Sequence, residues 1–196
     1  MERSNSTKIL VFGGGFNPPT LAHQTIMSAC LKLTGFKEVW VMPSGDRFDK
    51  KINIDDDDQL TMLNLIKRNE FGNNPRLHVS NFELQLPRPT KTYTTVGYLA
   101  TAYANTEFWF TFGSDSYRNM PSWELGRELQ QTLNMVIVER DRIDVPKREG
   151  IIFLKLNEYK GLSSTKARIA AASGKPLDCF VCQSVKRYIE QNELYR

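Results

Sequence analysis

The sequence predicts an α/β protein built on a mostly parallel sheet with helices on both faces. Three observations support this prediction: short apolar runs alternate with helical patterns, "GGG" separates the first run from the first helix, and "GSD" follows a later run. A repeated strand and helix order requires crossover connections, and these make neighbouring strands parallel. Ligands of such sheets bind beyond the carboxyl ends of the strands, where the strand order reverses. The glycine turn and "GSD" are both predicted at that edge.

The first half of the chain supplies three predicted strands and three helices. "KILVF" at 8–12 is a short buried-strand pattern, and residues 21–35 have helical apolar spacing with a terminal glycine. "EVWVM" at 38–42 is a second strand, a second helix runs from Asp58 to about Glu70, and "RLHVS" at 76–80 is a third strand. An irregular "LPRPTKTYT" then leads to a helix through "VGYLATAYA".

The second half continues the alternation. "EFWFTF" at 107–112 is an aromatic-rich strand, and "PSWELGRELQ" predicts a helix with Pro121 at its first position. "NMVIVER" at 134–140 and "IIFLKL" at 151–156 are two further strands. The chain closes with two helices, one opening at "SSTKARIAAASG" and one through "VCQSVKRYIEQNEL".

Length and composition limit the class of protein. We expect the 196 residues to form one domain, 1–196, and the 40% hydrophobic and 24% charged residues argue against a disordered or fibrous chain. No apolar run is long enough to cross a bilayer and the first residues lack the core of a signal peptide, so we expect a cytoplasmic protein. The mild net charge of +4 suits a small anionic substrate better than a nucleic acid.

Two acidic or thiol clusters have both a ligand-binding and a structural interpretation. Cys179 and Cys182 form a CxxC that could be a redox pair or half a zinc site, but no second CxxC exists, so a structural role at a helix start is favoured. The run from Asp55 to Asp58 could bind a cation. Because it directly precedes "QLTMLNLI", we favour helix capping and compensation of the helix dipole.

The glycine turn in "VFGGGFNPPTLAH" indicates close approach of a ligand to the backbone. A dinucleotide fingerprint would need glycine where Pro18 stands, and the Gly-Lys-Ser/Thr of a Walker loop is absent. Thr20 and His23 are three residues apart, so both side chains could face one spot at a helix N-terminus and bind phosphate there. Taken alone, however, His23 is more typical of a hydrogen-bonded structural histidine.

A second segment, "GLSSTKAR", changes that balance. It begins another helix with hydroxyl side chains and carries Arg168 three residues after Thr165, although helix capping alone would also explain the hydroxyls. Two helix N-termini with hydroxyls and cations, far apart in the chain, predict a polyphosphate bound between them.

These two segments resemble the signatures of a known superfamily. "GGGFNPPTLAH" is similar to GGxFDPxHxGH, and "SSTKAR" to ISSTxxR, of the nucleotidyltransferases with the T/HxGH motif. Along nearly its whole length the chain resembles nicotinate- or nicotinamide-nucleotide adenylyltransferases, through "ELQLPRPTKTYTTVGYL", "FTFGSDSYRNMPSWELGREL" and "VKRYIEQNELYR". The resemblance implies a Rossmann-like, doubly wound sheet with C-terminal helices. It also implies transfer of AMP from ATP, which brings Mg2+, to a pyridine mononucleotide in NAD biosynthesis, with release of pyrophosphate.

The resemblance also implies roles for individual residues. His23, Thr20 and Arg168 would be catalytic, with His23 stabilising the transition state rather than abstracting a proton. No protein-bound metal is expected, and a homo-oligomer is left open. The ATP site would contain Gly13, Gly14, Gly15, Phe16, His23, Gly113, Asp115, Ser163, Ser164, Thr165 and Arg168, and the mononucleotide site Asn17, Lys50, Lys51, Tyr93, Thr94 and Trp123.

Three positions depart from the commonest bacterial pattern: Asn17 replaces aspartate, Thr20 histidine and Ala22 glycine. They put the rate in question more than the reaction class. Two alternatives stay open, namely another acceptor such as phosphopantetheine, and a nucleotide-binding sensor with weak catalysis. Between the two pyridine mononucleotides, we favour nicotinate because the overall pattern looks bacterial.

Overall fold

The computed structural model describes residues 6–45, 54–139, 148–156 and 162–196, and in these ranges six parallel strands form one sheet. The sheet order is β3-β2-β1-β4-β5-β6, so the chain returns to the far side of β1 after β3. The doubly wound, Rossmann-like sheet is therefore confirmed, and its strand order reverses between β1 and β4. The strands are β1 (Thr7–Gly14), β2 (Glu38–Pro43), β3 (Leu77–Val79), β4 (Thr106–Gly113), β5 (Asn134–Glu139) and β6 (Ile151–Lys155).

Helices cover both faces of this sheet. Alternate residues of β5 show the division, because Val136 and Val138 pack into one apolar cluster while Met135 and Ile137 pack into the other. The first cluster also takes residues from α1, α2, α6 and α7, and the second takes residues from α3, α4 and α5. Strands buried on both sides explain why their sequences are almost continuously apolar. The helices in the described ranges are α1 (Leu21–Lys32), α2 (Asp56–Asn69), α3 (Thr92–Ala102), α4 (Ser114–Asn119), α5 (Gly126–Thr132), α6 (Ser164–Ala172) and α7 (Gln183–Gln191).

The segment after β4 differs most from its prediction. A short helix, α4, follows the strand directly, and the helix predicted to start at Pro121 is wrong: Met120–Ser122 form one 3-10 turn, and α5 begins only at Gly126. Leu125 has φ 54, which breaks a right-handed helix, and a Cβ on Gly126 would lie 1.7 Å from the Met120 carbonyl oxygen. The α3 helix also starts earlier than predicted, at Thr92. The other predicted elements differ from the structure only at their ends.

The structural interpretations of the acidic run and of the cysteines are largely supported. Asp56, Asp57 and Asp58 occupy the first turn of α2, where they complement the helix dipole, but the preceding Asp55 makes no side-chain capping hydrogen bond. Cys179 and Cys182 are free thiols, and Cys182 is buried directly before α7. No helix in the described ranges is long and apolar enough to cross a membrane.

Candidate active site

A cavity of about 240 Å³ lies at the carboxyl ends of β1 and β4. This is the point of strand-order reversal, where ligands of doubly wound sheets bind. Its walls come from both strands, from the N-terminal parts of α1 and α3, and from the turn that carries Trp123. The polar or glycine positions in the lining are Gly13, Gly14, His23, Ser44, Glu83, Thr90, Thr92, Thr95, Thr111, Gly113 and Ser116.

The glycine turn gives a ligand direct access to the backbone. Gly13 and Gly14 end β1 and line the cavity, and a Cβ on Gly13 would meet no atom within 4 Å. A Cβ on Gly14 would instead lie 3.2 Å from the ring of Phe16. Phe16 itself is buried with φ 39, and the following Asn17–Pro18 bond is cis. The turn is thus open on its cavity side and tightly packed behind.

His23 stands in the first turn of α1 and lines the cavity. Its Nδ1 atom accepts a hydrogen bond from the backbone N–H of Thr20 at 2.9 Å. A backbone N–H can only donate, so Nδ1 carries no proton and the ring proton is on Nε2. The Phe16 ring packs edge-on against the imidazole, with centroids 5.0 Å apart. His23 is therefore oriented from two sides as a hydrogen-bond donor through Nε2.

Thr20 does not face the cavity beside His23, contrary to the expected arrangement. Its side chain is fully buried, and Oγ1 lies 2.9 Å from Nδ1 of His23. Thr20 precedes α1 with extended backbone and takes part in a capping box with His23, which turns the hydroxyl towards the helix. In this structure Thr20 can act on a ligand only through His23.

The α6 helix is fastened to the same loop. Ser164 Oγ donates to the Pro18 carbonyl at 2.9 Å, and Arg168 Nη1 donates to the Asn17 carbonyl at 2.6 Å. Arg168 Nη2 also donates to Thr165 Oγ1 at 3.3 Å. The two segments that predicted a phosphate site from opposite ends of the chain are thus in direct contact, although Ser164, Thr165 and Arg168 do not line the cavity.

Other predicted ATP-site residues have distinct positions. Gly113 lines the cavity at the end of β4, whereas Asp115 is exposed in the first turn of α4 and does not line it. Ser163 caps α6, because its Oγ accepts from Lys166 N–H at 3.2 Å. Gly15 contributes its carbonyl to the packing of the loop rather than a side of the cavity, since that oxygen accepts from Gln59 Nε2 at 2.6 Å.

Of the residues predicted to bind the mononucleotide, only some line the cavity. Trp123 lines the cavity and packs against Phe112 with ring centroids 6.0 Å apart. Tyr93 and Thr94 lie in the first turn of α3 but outside the lining, which takes their neighbours Thr92 and Thr95. Asn17 is buried, and its Oδ1 has no hydrogen-bond partner among the described residues. Lys50 and Lys51 lie outside the described residues.

Sequence reasoning missed several site residues. Glu83 and Thr90 line the cavity together, and Thr90 Oγ1 donates to Glu83 Oε1 at 2.9 Å. Both belong to "ELQLPRPTKTYTTVGYL", so that segment contained the signal. Ser44 follows β2, at the strand edge where ligands bind, and could have been found by its position. Gln59 on α2 lies outside the lining but supports the glycine turn, and it gave no signal because only the fold brings its amide to Gly15.

Comparisons with known proteins agree with this fold. Residues 11–170 match the cytidylyltransferase-like family model. The chain is 30% identical over 188 residues to nicotinate-nucleotide adenylyltransferase of Bacillus subtilis, covering 96% of this chain and 98% of that protein. In fold it is similar to nicotinic acid mononucleotide adenylyltransferase of Plasmodium falciparum complexed with NaAD, with TM-score 0.83 at 21% identity, covering 96% of this chain and 97% of that chain. The complex of that enzyme with APC gives TM-score 0.79 at 20% identity, with the same coverage.

Proposed function

The chain belongs to the cytidylyltransferase-like family and, within it, to the nicotinate-nucleotide adenylyltransferases, and from that premise we propose that it transfers AMP from ATP to nicotinate mononucleotide. A phosphate oxygen of the mononucleotide attacks the α-phosphorus of ATP. The bond from that phosphorus to the bridging oxygen of the β-phosphate breaks, and pyrophosphate leaves with the electron pair. The product is the dinucleotide precursor of NAD.

One observation supports this proposal above the others: Ser164 and Arg168 of α6 bond to the Pro18 and Asn17 carbonyls in the loop that leads to His23. His23 and Trp123 both line the same cavity. Displacement at phosphorus needs no protein nucleophile, only positioning and neutralisation of growing negative charge. His23 supplies a neutral N–H donor, Arg168 a fixed cation, and Gly13 and Gly14 an open backbone. Trp123 offers an aromatic face to the pyridine ring.

Mg2+ enters this scheme as part of the substrate. Among the described residues, no three His, Cys, Asp or Glu side chains lie close enough together to hold a metal ion. In this proposal the ATP phosphates supply the metal's ligands. The metal neutralises charge on the phosphates, while the chain's own residues orient the two nucleotides and stabilise the leaving pyrophosphate.

The test is an assay of the purified protein with Mg-ATP and, separately, nicotinate mononucleotide, nicotinamide mononucleotide and phosphopantetheine. We expect pyrophosphate and the matching dinucleotide, with the highest kcat/KM for nicotinate mononucleotide. His23→Ala serves as the control for contaminating activity. Turnover of phosphopantetheine alone would refute the proposed acceptor, and ATP binding without turnover of any acceptor would refute the transferase function.

A further inference from the structure

Lys91 and Glu124 connect the two segments that form the predicted pyridine end of the cavity. The Lys91 ammonium donates a hydrogen bond to the Glu124 carboxylate and forms an ion pair with it. It also lies over the ring of Tyr93, 6.0 Å from the centroid. The hydrogen bond to Glu124 raises the pKa of Lys91, and hydrogen bonds from Lys91 and then Tyr93 lower the pKa of Glu124. Both groups are therefore charged near neutral pH.

Each partner of the pair is fixed in its own short segment. The Lys91 carbonyl accepts from the backbone N–H of Thr95 at 3.0 Å and from its hydroxyl at 3.2 Å, so Lys91 is part of the start of α3. Glu124 lies within a closed turn, because Trp123 N–H donates to the Met120 carbonyl and Gly126 N–H donates to the Trp123 carbonyl, both at 2.9 Å. The ion pair thus joins two segments, each with its own local hydrogen bonds, that are 33 residues apart.

These two segments line the cavity from different elements. Thr92 and Thr95 contribute from α3, and Trp123 contributes from the turn after α4. The separation between α3 and the Trp123 turn therefore sets the width of this end of the cavity. We propose that the Lys91–Glu124 ion pair is a clasp that sets this width, and through it the affinity for the pyridine mononucleotide. The proposal rests on the proposed function, because it assumes that the pyridine ring binds beside Trp123.

The clasp makes predictions that a direct contact of Lys91 with substrate does not. If the ion pair sets the width, loss of either charge should weaken mononucleotide binding by a similar factor. The weakening should be equal for nicotinate and nicotinamide mononucleotides. A Lys91 ammonium that bound the nicotinate carboxylate directly would matter for nicotinate alone, and loss of Glu124 would not weaken that contact. The two roles are therefore distinguished by comparing both partners with both substrates.

The experiment measures kcat and KM for the wild type, Lys91→Met, Glu124→Gln and the charge-reversed double variant Lys91→Glu/Glu124→Lys. We expect each single variant to raise KM for either mononucleotide about threefold to fivefold, with KM for ATP unchanged, since partly exposed ion pairs have modest strength. In the double variant, KM for either mononucleotide should return most of the way to the wild-type value. Asp178→Asn, which breaks the Lys186–Asp178 ion pair at α7, is the matched control and leaves both KM values unchanged.

Quenching of tryptophan fluorescence by each mononucleotide gives a binding constant independent of turnover. A wild type that binds a mononucleotide but does not turn over refutes the proposed function, while the clasp is still tested by the binding constants. Wild-type affinity in both single variants overturns the clasp. A loss confined to Lys91→Met and nicotinate overturns it in favour of a direct contact, and a wild type that binds neither mononucleotide overturns both proposals.

Discussion

The guanidinium of Arg168 donates a hydrogen bond to the backbone carbonyl of Asn17, with 2.6 Å between Nη1 and the oxygen, across 151 residues of sequence. Ser164 makes a second such bond to the neighbouring Pro18 carbonyl. The α6 helix is thereby fixed to the loop that leads into α1. A residue predicted to hold phosphate thus also helps to orient the loop before His23.

Arg168→Lys is expected to lower kcat/KM for ATP by about tenfold to a hundredfold. Arg168 contacts both Asn17 and Thr165 through a planar fork, and a lysine ammonium cannot reproduce both contacts while presenting charge to the substrate. Steady-state kinetics with ATP varied will show the effect. Lys175→Met, beyond the other end of α6, is the control, and an equal loss there would mean that general charge matters rather than the Arg168 fork.

His23→Ala is expected to lower kcat by about a hundredfold to a thousandfold, the range for losing one donor to a developing negative charge. The ring is held by the Thr20 N–H and by the Phe16 edge, so its Nε2–H is oriented before substrate binds. Single-turnover kinetics isolates the chemical step, and circular dichroism checks the fold. A folded variant with near-normal kcat would contradict the role given to His23.

Thr20→Val should lower both kcat and stability, whereas Thr20→Ser should resemble the wild type. Valine keeps the shape but removes the hydroxyl that lies 2.9 Å from His23 Nδ1. Loss of the capping hydroxyl costs about 1 kcal/mol in the free energy of unfolding, measured by urea titration. If Thr20→Val is destabilised but retains its kcat, the hydroxyl serves only the helix and does not orient His23.

The fold was largely predictable because its signals are local. Strand and helix periodicity, together with glycine and proline positions, gave the alternation that requires a parallel sheet. The failure came between Pro121 and Gly126, where a helix was predicted. There the positive φ of Leu125 and the close approach of Gly126 to the Met120 carbonyl decide the backbone, and neither can be seen in the local pattern of residues.

The candidate site was predictable only where residues lie within motifs. The two signatures predicted a shared site for His23 and Arg168, and the structure shows α6 in contact with the loop before α1. The amide of Gln59 bonds to Gly15, 44 residues away, and Lys91 pairs with Glu124 on another segment. Such contacts depend on how distant segments pack. The burial of Thr20 was missed for a related reason, since spacing gives the helix face but not the capping geometry.

Cys30 is expected to make the protein less stable in alkali. Its thiol is fully buried, and burial raises its pKa from the ordinary 9.0 to about 12, despite Thr111 nearby. In the unfolded chain the thiol ionises above pH 9.0 while the folded one stays neutral, so stability is complete below that pH and falls as pH rises towards 12. The loss from this group is about 1.4 kcal/mol per pH unit.

Urea unfolding at pH 8, 9, 10 and 11 compares the wild type with Cys30→Ala. The variant is less stable at pH 8 because of the cavity it creates, but its stability should fall less steeply above pH 9. The buried Tyr195 hydroxyl, whose pKa burial also raises, adds a loss of the same sign to both proteins and cancels in the comparison. If the free energy of unfolding falls equally steeply with pH in the two proteins, the role given to Cys30 is contradicted.

Trp123→Ala is expected to raise KM for the mononucleotide by about tenfold, the range found when a stacked base loses its aromatic partner. Trp123 lines the cavity and is held at its tilt by Phe112, so Trp123→Phe should keep part of the stacking and show a smaller rise. KM for ATP should stay at its wild-type value in both variants.

Trp109→Phe is the matched control, because Trp109 packs against Phe36 and its indole N–H bonds to Glu107, outside the cavity lining. A parallel rise in both KM values for Trp123→Ala, matched by Trp109→Phe, would mean that the tryptophan supports the fold and does not bind the pyridine ring.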